Sequence, residues 1–250
     1  MDRRLARLGI AVVFTVGMLP TGIAMAVTCP VPLPQGSDPV MLDPADFVGQ
    51  IDNPYWPMAP GTRWLYRESD SDSEGSVQRV EVTVTTRTKA ILGIDATVVH
   101  DRVSEHGELI ENTFDWYAQD VCGNVWYLGE NTKEYENGII VSTAGSWESG
   151  VDGAQAGIAV PADPQVGVTY RQEYYAREAE DAAEVLSLDE QAQVPYGHVR
   201  ELLLTRDFTP LQRRYLEYKL YAKGIGLVLA LTVSGGSDRE ELISYEAPPA

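Results

Sequence analysis

Four groups of residues carry side chains whose types and spacing could do chemistry. Asp70-Ser71-Asp72-Ser73-Glu74-Gly75, followed by Glu81, approaches the spacing of a twelve-residue calcium loop, departing from it by a Glu at the fifth position. Alternate oxygen ligands around a Gly turn are what a hard cation needs, so Asp70, Asp72, Glu74 and Glu81 are candidate calcium ligands. The same letters also spell a solvated hairpin tip between strands, since Glu81 lies inside the alternation Val80-Val82-Val84. Trp147, Glu148, Asp152 and Gln155 set an aromatic ring beside two carboxylates and an amide. That combination could hold a polar ligand such as a sugar, or it could be a connector ordered by one buried Trp. Glu173, Glu178, Glu180, Asp181 and Glu184 crowd one stretch, and a helical turn over 176–184 would put Glu180 and Glu184 on one face. This reads as a cation site, as a carboxylate with a raised pKa, or as a solvated charged face. Cys29 and Cys122 are the two cysteines, and they make one candidate disulfide or two free thiols.

Familiar catalytic templates are missing. There is no G-x-S-x-G elbow, no H-E-x-x-H helix and no phosphate-cradling glycine loop. His100 and Asp101 are adjacent on a strand and therefore point to opposite faces, so they cannot form a dyad. A carboxylate pair of the glycosidase kind depends on separation in space, which spacing along the chain does not set.

The elements that must position these residues are strands. Trp64, Tyr66 and Glu68 alternate with Arg63, Leu65 and Arg67, and Val80, Val82 and Val84 alternate with Arg79, Glu81 and Thr83. Asn137-Gly138 suits a type I′ hairpin, because both positions tolerate positive φ. The expected class is all-β: an antiparallel meander forming a curved sheet, a sandwich or a barrel-like shell. Comparing the chain with itself sharpens this. Gly93 and Gly197, Val98-Val99 and Leu202-Leu203, and Tyr117-Ala118 and Tyr221-Ala222 are all separated by 104 residues. A constant offset over separate stretches points to two diverged repeats, 57–145 and 161–246. A Gly-rich connector at 146–160 joins them, a Pro-rich extended lead-in at 27–56 precedes them, and 247–250 form a short tail.

Residues 1–26 read as a signal peptide: a basic start, an apolar run broken by Pro20, and Ala24-Met25-Ala26 at the cleavage position. The protein is therefore expected to be exported, to the periplasm or the extracellular space, where disulfides form. A lipoprotein anchored through Cys29 is the alternative, although Val27-Thr28 lacks the small residues expected before a lipidated cysteine. No other stretch is long enough to span a bilayer. The formal charge is −18 over 250 residues, with 37 Asp and Glu against 19 Lys and Arg. Removing the signal discards three Arg and one Asp and leaves −20. Such a surface repels phosphate backbones, so nucleic acid is excluded as a partner. The 44% hydrophobic content excludes a disordered acidic tail.

A resemblance extends over about residues 47–245. Asn53-Pro54-Tyr55-Trp56-Pro57, followed by Pro60-Gly61-Thr62 and Trp64, resembles the opening of a family of uncharacterised exported bacterial proteins. So do Asp115-Trp116-Tyr117-Ala118-Gln119-Asp120 with Gly123-Asn124-Val125-Trp126-Tyr127, and Tyr221-Ala222-Lys223-Gly224-Ile225-Gly226-Leu227-Val228. The resemblance implies export and a β-rich fold and assigns no activity. The expected function is a non-enzymatic, small-molecule or glycan binding module of the cell envelope or extracellular space, with no cofactor. A carboxylate-dependent hydrolase on a glycan-type substrate and a calcium-stabilised structural domain are the alternatives.

Overall fold

The computed structural model describes residues 33–70 and 77–248. The expected signal peptide, Cys29, Asp72 and Glu74 lie outside the described residues. A 3-10 turn at Pro44–Asp46 precedes sixteen strands. They are β1 (Phe47–Val48), β2 (Arg63–Asp70), β3 (Val77–Ile91), β4 (Ile94–Glu105), β5 (Glu108–Asp120), β6 (Val125–Glu136), β7 (Ile139–Ser142) and β8 (Trp147–Glu148). There follow β9 (Gln155–Val160), β10 (Thr169–Arg171), β11 (Glu173–Tyr174), β12 (Ala182–Val194), β13 (Gly197–Phe208), β14 (Leu216–Ala222), β15 (Gly226–Ser234) and β16 (Asp238–Glu246). Among the described residues no helix is long and apolar enough to cross a membrane.

The class expected from the alternation is the one observed: a single curved antiparallel sheet, not closed into a barrel. Its order is β10-β12-β13-β14-β15-β16-β2-β3-β4-β5-β6-β9-β11, with β1 on β5 and β7 and β8 on β6. After β1 has joined β5, the main path starts in the middle of the sheet, at β2, runs outward to β6 and β9, and returns from the far edge to pair β16 with β2. The two terminal strands of this path are separated in the chain only by Gln172, so the sheet curls until its ends meet. Gly157 on β9 allows that approach, since a Cβ there would lie 2.4 Å from the carbonyl carbon of Gln172. Arg171 is fully buried at the same place, and its guanidinium donates 2.8 Å hydrogen bonds to the carbonyls of Gly36, Asp38 and Ala156. It ties the lead-in across the two sheet ends.

Alternation decides which face turns inward. Trp64 and Tyr66 are buried whereas Arg63 and Arg67 are exposed, as period two requires. The main apolar core includes Val80, Val84, Leu128, Ile158, Leu202, Leu203 and Leu242. Hairpin turns take the chemistry expected of them, and Asn137 and Gly138 both adopt positive φ, 51° and 76°. Positions related by the 104-residue offset lie in comparable surroundings. Gly93 and Gly197 occur at the turns of the two longest hairpins, β3–β4 and β12–β13. Tyr117 and Tyr221 both pack against Trp56 of the lead-in, with ring centroids 5.3 and 5.9 Å away.

One expectation is corrected. Residues 176–184 do not form a helical turn: Tyr175 and Ala179 close an isolated β-bridge and β12 begins at Ala182. Ala182 and Ala183 are paired on both sides, to β10 and to β13, and Ala183 is completely buried. Two ladders and burial outweigh the modest helix preference of an Ala- and Glu-rich stretch.

Candidate functional site

Residues paired across an antiparallel ladder share a face, so the register shows what the concave side gathers. Glu68 on β2 pairs with Glu240 on β16, and Asp70 with Asp238. Further along the sheet, on β5 and β6, Asp115 pairs with Glu130, and Glu111 with Glu134. Asp101 on β4 lies opposite Val82, which in turn faces Trp64. These four directly opposed acid pairs, and a fifth formed by Asp207 and Glu217 on β13 and β14, lie on the inner face of one sheet, an arrangement that costs stability when both members are ionised.

These carboxylates border two adjoining spaces. The inner one, about 290 Å³, has walls of Trp56, Trp64, Tyr66 and Tyr117, with Glu68, Asp101, Asp115, Glu217 and Glu240 facing it. The outer one, about 480 Å³, is lined by Glu111, Glu134, Tyr135 and Val141 and again by Glu68, Asp101 and Glu240. The three shared carboxylates form a neck between vestibule and cavity. Glu68, Asp101 and Glu240 are half-buried. They keep this accessible surface because they border a cavity and not packed protein.

Lys219 is the one cationic side chain lining the inner cavity among the described residues. Its ammonium donates to Asp207 at 3.0 Å and to Glu217 at 3.1 Å. Burial pulls the Lys219 pKa down, but these two carboxylates outweigh it and hold the group well above the usual lysine range. With its charge committed there, no lysine or arginine lining the cavity is left for the neck. Burial pushes Glu240 up to about 8, helped by Glu68 and Glu217, and it raises Glu68 and Asp101 as well. Asp101 Oδ1 is buried and accepts no hydrogen bond. Asp115 accepts from the Tyr127 hydroxyl at 2.8 Å, and Glu130 accepts from Thr132 Oγ1 at 2.9 Å. Burial nonetheless raises Asp115 well above the carboxylate range and Glu130 to about 7.

The residues singled out from sequence take other places. Trp147 is buried, donates its indole N–H to Glu173 Oε2 at 2.8 Å and meets Tyr127 edge-on at 5.4 Å. Glu148 is ion-paired to Lys89 at 2.7 Å, and Gln155 Oε1 accepts from the Val40 backbone N–H at 3.0 Å. Asp152 lies in an exposed turn with φ of 50°. None of the four lines the inner cavity. Of the candidate calcium ligands, Asp70 ends β2 and accepts from the Ser237 hydroxyl, whereas Glu81 sits opposite Leu65 and is held by Arg79 at 2.7 Å. Five residues separate Leu65 from Asp70, so Asp70 and Glu81 are about 17 Å apart along the ladder. Among the described residues no three ligating groups are gathered closely enough to hold a metal ion. The acidic stretch 173–184 divides. Burial, with Asp181 and Glu130 nearby, pushes Glu173 up to about 8, whereas Glu180 accepts from the Arg177 backbone N–H at 2.7 Å and Glu184 pairs with Arg206. Cys122 is not a free thiol, and the partner expected for it, Cys29, lies outside the described residues.

The sequence did carry a signal for the neck, namely an acid at an inward parity position. Glu68 follows Trp64 and Tyr66, Asp101 lies between Val99 and Val103, and Glu240 precedes Leu242 by two. What the sequence lacked was the pairing of Glu68 with Glu240 and the curvature of the sheet that places Asp101 at the same cavity.

Comparisons with known proteins leave the chain without an assigned family. No protein-family model matches it and no curated protein is significantly similar. A solved structure, that of a candidate lipoprotein from Parabacteroides distasonis ATCC 8503, aligns over 77% of this chain and 98% of its own, at 10% identity and a TM-score of 0.42. A likeness of that degree carries no argument about what this protein does.

Proposed function

We propose that the protein is an exported, non-enzymatic binding module that holds a small molecule inside its curled sheet. The observation that supports this reading is the two-compartment interior, in which an aromatic cavity and an outer vestibule meet at a shared polar neck. Ligand pockets combine apolar walls with a few convergent polar groups, and a volume of about 290 Å³ lies near the lower end of their size range. Export rests on the basic, apolar and small-residue pattern of residues 1–26, and the Cys29–Cys122 disulfide belongs to the same proposal.

The test uses protein purified from its own host. Native mass spectrometry is expected to find a retained small molecule, and release of that molecule should change the fluorescence of Trp56 and Trp64. Ala230→Phe, which fills the cavity from β15, should abolish retention while the circular dichroism of the sheet is kept. A mass equal to the bare processed chain, together with fluorescence insensitive to every compound offered, would overturn the reading.

A further inference from the structure

We propose that the ligand of this cavity is an organic cation, whose ammonium sits in the neck formed by Glu68, Asp101 and Glu240 and whose body lies against Trp64, Tyr66 and Tyr117. This deepens the binding reading and rests on it. Three independent observations point to such a ligand. First, Glu68 and Glu240 are directly opposed on adjacent strands, so the ladder itself holds two carboxylates at a spacing that like charges disfavour and a bound cation relieves. Second, Asp101 lines both spaces and its buried Oδ1 has no hydrogen-bond partner, so no protein donor answers this carboxyl group. Third, the inner side of the neck is walled by aromatic rings, whose negative faces attract an ammonium and whose area covers an apolar body.

Among the described residues, the protein's own cations do not answer the neck. Lys219 is engaged by Asp207 and Glu217. Arg67 and Arg239 leave the neighbouring strands on the outer face, where both bind Glu241. An organic cation fits better than a metal ion, because among the described residues no three ligating groups come close enough to coordinate one. The vestibule repeats the preference. Glu111 and Glu134 are opposed at its wall, so a cation meets negative charge from the entrance to the neck.

Glu240 faces Glu68 from β2, Asp101 from β4, and Glu217 and Lys219 from β14, with Asp238 on its own strand. All but Lys219 are acids, and burial already favours their protonated forms. Protons therefore compete with the ligand, and amine affinity should rise as pH goes from about 5 to about 8.

The experiment is calorimetric titration of the full processed protein with 2-phenylethylamine and 1,4-diaminobutane. The neutral comparators are 2-phenylethanol and N-acetylglucosamine. The amines should bind at pH 8, and 2-phenylethanol should bind at least about tenfold more weakly than its amine counterpart, the loss expected for one charge-assisted hydrogen bond. Glu240→Gln and Asp101→Asn should each weaken 2-phenylethylamine by about tenfold or more while raising the melting temperature of the ligand-free protein at pH 8. Weaker binding in a more stable protein is a combination that simple damage to the fold does not produce. The inference is overturned if neither amine binds, or if 2-phenylethanol binds as tightly as the amine. It is also overturned if N-acetylglucosamine binds and Glu240→Gln leaves that affinity unchanged; in this last case the binding reading survives and only the ligand class is wrong. A protein that retains no small molecule from its host and is indifferent to Ala230→Phe would remove the binding reading itself.

Discussion

The two long-hairpin regions treat buried charge in opposite ways. In the region built from β12 to β15, Lys219 stands on the inner face and satisfies Asp207 and Glu217 together. In the region built from β3 to β6, the residue 104 positions earlier is Asp115, which faces another acid, Glu130. Both Lys219 and Asp115 line the same cavity. One side of the interior is thus partly balanced, one ammonium against two carboxylates, while the other is an acid surplus whose protonated forms burial favours. We propose that the two regions are diverged copies of one unit, and that the reversal of sign at this position separated a stabilising half from a receptive one. A buried polar cluster that satisfies itself is evidence for architecture; one that does not is a candidate for binding.

The comparison can be broken at several points. The largest effect is expected from Lys219→Met, which leaves Asp207 and Glu217 facing each other without a cation. Removing one partner of a buried ion pair costs about 3 kcal/mol, so the urea midpoint should fall sharply, and an unchanged midpoint would mean that the balanced half is not balanced by this lysine. Trp56→Ala comes next. It removes the ring shared by Tyr117 and Tyr221 and should cost about 2 kcal/mol, with thermal unfolding as the readout.

The acid surplus carries a pH signature. Glu240 titrates at about 8 in the folded protein against an ordinary value of 4.5. The folded state therefore binds more protons than the unfolded chain across that interval. Its contribution to stability is complete below about 4.5 and is lost as pH rises through about 8. Glu68 and Asp101, raised by burial in the same sense, add to the slope. The ligand-free protein should melt higher at pH 5 than at pH 8, and Glu240→Gln should flatten that difference. A melting temperature that rises with pH over the same interval would contradict the assignment. Asp115→Asn should stabilise by a smaller amount, about 1 kcal/mol at pH 8, because it removes one opposed charge while keeping a group that can still meet the Tyr127 hydroxyl. The smallest effect belongs to Glu81→Gln on the convex face, where Glu81 is ion-paired to Arg79 at 2.7 Å and both side chains are well exposed. A surface pair of this kind should change stability by less than about 0.5 kcal/mol.

Local chemistry and tertiary contact contributed different things to this account. The strand at Trp64, Tyr66 and Glu68 could be read from alternation, because side-chain direction in a strand follows from backbone geometry alone. The turn at Asn137-Gly138 could be read from the residues that accept positive φ. The stretch 176–184 could not, since its local preference was overridden by pairing of Ala182 and Ala183 with β10 on one side and β13 on the other, which the residues of the stretch do not themselves encode. Trp147 was legible as important but not as a residue whose indole is spent on Glu173. Its partner lies 26 residues away and is brought there by the return of the chain from β9 to β11.

By itself, then, the sequence determined the all-β class, the inward face of the strands at Trp64-Tyr66 and Val80-Val82-Val84, and the excess of acid, because period-two geometry and composition are local properties. The tertiary structure alone decided which acids face one another. Glu68 and Glu240 are separated by most of the chain and meet only because β16 returns to the middle of the sheet beside β2. Register is a property of two strands at once, and the electrostatic cost it imposes at the neck has no counterpart in either strand alone.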